Sequence, residues 1–107
     1  MSTNISVFRP NAAGTVSLAV TTSTGRVQFQ TGTVYVTSEP VVRLYNAGGS
    51  TVFVNFGDSS VTAAVASGFP VPAGAIETFA VDSAQTYVAA ITSAGTATLY
   101  ATPGYGA

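Results

Sequence analysis

Apolar residues recur at every second position along most of this chain, and that period decides what it can fold into. Val16, Leu18 and Val20 alternate with Thr15, Ser17, Ala19 and Thr21. Val27 and Phe29 alternate with Arg26, Gln28 and Gln30, and Val34 and Val36 are flanked by Thr33, Tyr35 and Thr37. The pattern returns at Val42 and Leu44, at Val52, Val54 and Phe56, over 76–81 and 87–91, and at Ala97, Leu99 and Ala101. Successive side chains of a strand point to opposite faces, so short alternating runs rich in β-branched and aromatic residues predict half-buried strands.

Turn chemistry separates the runs. Thr22-Ser23-Thr24-Gly25, Thr31-Gly32 and Ser93-Ala94-Gly95 each stand between two of them. Asn46-Ala47-Gly48-Gly49-Ser50 tolerates positive φ between two strong strands, which predicts a hairpin. The least regular stretch is 58–74. Within it Ala63-Ala64-Val65-Ala66 suits a short helical turn, and the prolines of Gly68-Phe69-Pro70-Val71-Pro72-Ala73-Gly74 keep that segment extended before its glycine turns it. About eight closely spaced strands predict an all-β fold, a compact antiparallel β-sandwich or small barrel, either jelly-roll or immunoglobulin-like. The expected organisation is an N-terminal arm over 1–14, one β domain over 15–102 and a C-terminal tail over 103–107. A chain of 107 residues suits one core, burying somewhat over ~60% of its extended surface without staples.

Composition then narrows the function. Only 7% of the residues are charged while 47% are hydrophobic, and His, Cys, Lys and Trp are all absent. Without cysteine there are no disulfides, thiolate metal sites or cysteine nucleophiles. Three scattered cations, Arg9, Arg26 and Arg43, make no basic patch, and the net charge is −1, so no nucleic-acid partner is expected. No membrane partner is expected either. The run over 61–76 is broken by Ser67, Gly68, Pro70, Pro72 and Gly74, far short of the ~20 apolar residues of a spanning helix. The first 14 residues lack the charged start and apolar stretch of a signal peptide, so the chain is expected to be made in a cytosol. Ser and Thr, roughly a quarter of the residues, solvate a surface without charge repulsion. A surface so poor in charge is expected to lie against other protein.

Catalytic chemistry finds no footing. Ser59 and Ser60, in Gly57-Asp58-Ser59-Ser60, have no histidine or lysine to take a proton, and an exposed loop accounts for the segment better. Glu39, Asp58, Glu77 and Asp82 are scattered, and solvated loop positions explain them more simply than a glycosidase pair or a calcium loop. Asn4-Ile5-Ser6 matches a glycosylation sequon, a match common by chance. No phosphate-cradling glycine motif occurs. No enzyme activity, cofactor or metal is expected.

The aromatics and the two arms carry the protein-contact candidates: Phe8, Arg9, Tyr35, Tyr45, Phe53 and Tyr105. Phe53, Tyr35 and Tyr45 fall on the faces opposite Val52/Val54, Val34/Val36 and Val42/Leu44. Either bulges shift the strand phase and bury both sets, or exposed aromatics await a partner. A sugar-stacking platform of Tyr35, Tyr45, Tyr87 or Tyr100 is the lesser account. The arms, with Phe8 or Tyr105 as anchor, either cover a sheet edge of their own chain or reach a neighbouring subunit.

Two stretches carry a family resemblance. One runs from Val41-Val42-Arg43-Leu44-Tyr45-Asn46 through Val52-Phe53-Val54-Asn55-Phe56-Gly57 to Gly68-Phe69-Pro70-Val71-Pro72-Ala73-Gly74. The other runs from Tyr87-Val88-Ala89-Ala90-Ile91 to Thr96-Ala97-Thr98-Leu99-Tyr100. In overall pattern, over about residues 41–107, the chain resembles the small β-rich structural proteins of tailed bacteriophages and prophages, above all head decoration or cement proteins. The resemblance implies a place in the virion, after synthesis in the host bacterial cytoplasm. It also implies a non-enzymatic role binding and stabilising the major capsid protein lattice, and no catalytic residues. Expected partners are the major capsid protein or another virion protein, with a homo-oligomer. The alternatives are a head-fibre, tail or head–tail connector subunit, and a receptor- or glycan-binding β module.

Overall fold

A computed structural model describes residues 8–10, 14–30, 39–82 and 84–106. Tyr35 and the strand expected around Val34 and Val36 lie outside the described residues, as do residues 1–7 with the Asn4 sequon. The described residues form nine strands: β1 (Arg9–Pro10), β2 (Val16–Val20), β3 (Gly25–Gln28), β4 (Glu39–Asn46), β5 (Val52–Gly57), β6 (Phe69–Val71), β7 (Ile76–Ala80), β8 (Tyr87–Thr92) and β9 (Ala97–Gly106). They contain no helix. The segment suited to a helical turn makes one turn, closed by the Gly68 amide donating to the Ala64 carbonyl at 2.8 Å.

The strands make two antiparallel sheets. The front sheet has the order β1-β9-β4-β7, with β2 pairing further along the same edge of β9 as β1, and the back sheet has the order β3-β8-β5-β6. Nine strands thus fill eight lateral places, the number expected. The pairings nest: β5 with β6, β4 with β7, β3 with β8 and β2 with β9. The chain is therefore a long antiparallel ribbon doubled at the β5–β6 connection and rolled so that its halves face each other, the jelly-roll form of the β-sandwich.

The alternating residues explain why it holds. Val20, Val42, Leu44, Val52, Val54, Val71, Val88 and Leu99 are all essentially inaccessible and form one cluster between the sheets. Burying each such side chain stabilises by about 1.5–3 kcal/mol. Phe29 and Phe56, in phase with that core, meet edge to face at 6.0 Å. Phe56 lies against Phe79 at 5.2 Å, and Phe79 against Phe69 at 5.0 Å, so an aromatic file leads outward to the β6 edge.

Three sequence expectations change. The 46–50 segment is not a hairpin, because β4 belongs to the front sheet and β5 to the back. It is a corner that carries the chain between sheets, and so are the turns after β2, β6 and β8. Gly74 and Gly95 supply positive φ, 77° and 76°, in two of these corners. Phe69–Val71, in the stretch read as irregular, is a strand; Pro70 is tolerated because β6 is an edge. Finally, β9 runs through Pro103, Gly104 and Tyr105, the stretch expected as a tail, pairing these three with Val42, Val41 and Pro40.

Candidate protein-contact face

Among the described residues, the two outer faces of the sandwich are covered differently. Across the back sheet runs the 58–68 connection. The Ala63 amide donates to Thr24 Oγ1 at 2.9 Å, and Asn55 Nδ2 donates to the Thr62 carbonyl at 3.2 Å. Gly68 sits so close to Phe53 that an added Cβ would lie 2.8 Å from the Phe53 Cβ. Ala89, outward in phase, is consequently fully buried, and Phe53 is half-buried beneath its own loop.

No such cover lies on the front sheet among the described residues. Strand register places Ser17, Tyr100, Tyr45 and Ile76 in one row across β2, β9, β4 and β7. Tyr45 and Tyr100 stack at 6.2 Å with ring planes 17° apart. They are 41% and 39% exposed, and Ile76 is 60% exposed. The next row is Thr102, Arg43 and Thr78, with Thr15 Oγ1 bonded to Thr102 Oγ1 at 2.8 Å. Arg43 Nε donates to Thr78 Oγ1 at 3.1 Å, and the Phe8 ring covers the guanidinium with its centroid 4.4 Å from the central carbon. That contact is a cation–π pair. Among the described side chains, Arg43 is the one charge on a face otherwise built of Phe, Tyr, Ile, Thr, Ser, Ala and Val.

The six contact candidates therefore part company. Tyr45, stacked on Tyr100, and Phe8, over Arg43, both lie on the open face. Phe53 lies under the back-sheet loop, and Tyr105 belongs to β9 opposite Arg9 and Pro40. The Arg9 backbone pairs in β1, while its side chain and Tyr35 lie outside what is described. Ile76 and Tyr100 were not among the candidates. Their outward phase was readable from the alternation, but their meeting with Tyr45 depends on two long-range pairings. Tyr87, also considered for sugar stacking, is half-buried on the other sheet.

The polar segments serve local structure. The Asp58 carboxylate accepts from the Ser60 hydroxyl at 2.6 Å and the Ser60 amide at 2.9 Å. These bonds hold the Asp58 carboxyl below the usual aspartate range, with a smaller pull from Arg26. Ser60 thus donates its hydroxyl hydrogen bond to the Asp58 carboxylate and closes a turn. No group of three metal-ligating side chains occurs among the described residues.

No protein-family model and no curated protein matches the sequence. Among solved structures, a chain of the Bacillus endospore appendages, described as a family of disulfide-linked pili, is similar over 94% of this chain and 87% of its own length. The identity is 15% and the TM-score 0.48. At those values the likeness carries nothing over to this chain, which has no cysteine.

Proposed function

We propose that this protein is a non-enzymatic virion component, a decoration protein that binds the major capsid protein lattice through the outer face of its front sheet. The observation that supports this reading is the open row Tyr100–Tyr45–Ile76, an apolar strip beside one partly covered cation. Protein interfaces place aromatic residues at their centre and exclude charge there. Binding to the assembled shell and not to free subunits would stabilise the shell by mass action, and repetition over a lattice would multiply weak contacts. A sugar platform is favoured less: Glu77 pairs with Leu44, on the inner-face phase of β7, so no described acid stands beside the two tyrosines to accept from sugar hydroxyls.

The test is co-sedimentation of the purified protein with undecorated capsids, followed by capsid melting. Binding and a raised melting temperature are expected. Exchanging Tyr45 and Ile76 together for Ser should weaken binding by about tenfold or more, equivalent to ~1.4 kcal/mol, with an unchanged β spectrum. Absence of binding, or binding that leaves capsid melting where it was, overturns the reading.

A further inference from the structure

An unpaired strand edge is a template for another strand, and proteins usually blunt such edges with proline, charge or a short strand. Among the described residues, this sandwich does so at four of five edge strands. β1 contains Pro10, β3 contains Arg26, β6 contains Pro70 in a strand of three residues, and β7 contains Glu77 on its half-buried inner-face phase. β2 is the exception. It reads Val16-Ser17-Leu18-Ala19-Val20, with neither charge nor proline. One side of it pairs with β9, and among the described residues no strand pairs with the other.

The sequence of β2 is also symmetric in character about its middle residue. Val16, Leu18 and Val20 face inward, while Ser17 and Ala19 are small and exposed on the outer face. Laid antiparallel on itself about Leu18, the strand opposes Val16 to the second copy's Val20, Ser17 to its Ala19 and Leu18 to its Leu18. Apolar residues meet on the inner side and small ones on the outer side, so no register brings a better match of faces. Val16 and Leu18 are only half-buried in the single chain, which leaves apolar surface for the second copy to cover.

We propose that β2 is a dimer seam, at which two copies of this chain pair antiparallel about Leu18. The arrangement is isologous and therefore closes as a dimer instead of growing into a fibre. It joins the two front sheets into one, in the order β7-β4-β9-β2 followed by its mirror sequence in the second copy. Pro10 confines the seam to the five residues of β2, so the dimer should loosen on dilution. The inference is independent of what the Tyr45 face binds.

Sedimentation over a dilution series provides the first measurement. The wild-type chain should rise from 10.7 kDa towards twice that mass with concentration. Replacing Ser17 and Ala19 together by Lys sets lysine against lysine across the seam, on exposed positions the fold tolerates, and should leave a folded monomer. The second measurement fixes register. The chain has no cysteine, so Ser17→Cys and Ala19→Cys variants can be oxidised separately and mixed. Opposed Cα atoms in an antiparallel pair lie about 4.5–5.5 Å apart, within reach of a disulfide, so cross-linked dimer should form in the mixture and not in either variant alone. A wild-type chain that stays monomeric at its highest concentration overturns the proposal. So does an assembly that survives the double lysine exchange, or cross-linking that is equal in all three samples.

Discussion

Asn46 shows how much one side chain can organise in a chain this short of polar chemistry in its interior. It is fully buried. Its Nδ2 donates to the Ser50 carbonyl at 2.8 Å and the Val71 carbonyl at 2.9 Å, and its Oδ1 accepts from the Gly48 amide at 3.0 Å. Its backbone donates to Ala75 and accepts from Gly74. One residue thus ties the end of β4, the corner after it, the end of β6 and the corner before β7. Asn46→Ala would leave the Val71 carbonyl unpaired in a buried place and the Ser50 carbonyl and Gly48 amide unpaired in partly buried ones, at about 1–3 kcal/mol for each buried group left unpaired. A loss of roughly 3 kcal/mol or more is expected in chemical denaturation. A loss under ~1 kcal/mol would show that water replaces the side chain. Asn46 was readable from the sequence as a turn residue. Its role as a seam was not, since Val71 and Ala75 reach it only through the roll of the chain.

At the scale of the element, strands and corners differ in how far the sequence reveals them. The strands were legible because alternation is a local consequence of having one buried face, as in Val16–Val20 and Val52–Gly57. The corners were legible as turns but not in destination. Asn-Ala-Gly-Gly-Ser can join two strands of one sheet or step between two sheets, and its local chemistry is the same in both. Gly48 shows what decided it: an added Cβ there would lie 2.5 Å from the Ala97 Cβ, a close approach to a strand 49 positions away that no local pattern foretells. The 58–68 connection belongs to the same class, an irregular segment whose purpose is to roof the back sheet. Gly68→Ala would place a methyl 2.8 Å from the Phe53 Cβ and 2.9 Å from the Ala64 carbonyl. Overpacking of this kind costs about 1–3 kcal/mol. The expected sign is faster hydrogen exchange at the Ala63 amide as the loop lifts, while the core strand amides stay protected. Equal acceleration throughout would mean that the loop and sandwich open together.

For the whole molecule, the nested pairing makes β9 the strand on which most of the front sheet depends. It meets β1, β2 and β4. Its last residues are where the expected tail and the observed strand differ, because glycine, proline and tyrosine in Pro103-Gly104-Tyr105-Gly106 read locally as loop and pair only with segments 60 or more positions earlier. Truncation after Thr102 would therefore remove the pairing partners of Arg9, Pro10 and the start of β4, with Pro103 buried among them. A Tm lower by about 10 °C or more is expected in calorimetry, corresponding to roughly 2 kcal/mol for a domain of this size. A Tm within a degree or so of the full chain would return the stretch to the status of a tail. The front face has the same limit of legibility: Tyr45, Tyr100 and Ile76 each announce an outward phase, but three remote strands must pair before they become a surface.

The antiparallel match of Arg9 with Tyr105 has a mechanical consequence. It brings the chain's first described strand and its last side by side with their outer ends pointing the same way. Tension applied between those ends would load the β1–β9 pairs one after another, as a zipper is opened, instead of all at once in shear. A load passed through the broad face of the front sheet would instead be shared across four strands. In the role proposed for it, the direction of pull would decide its strength as much as the number of its bonds.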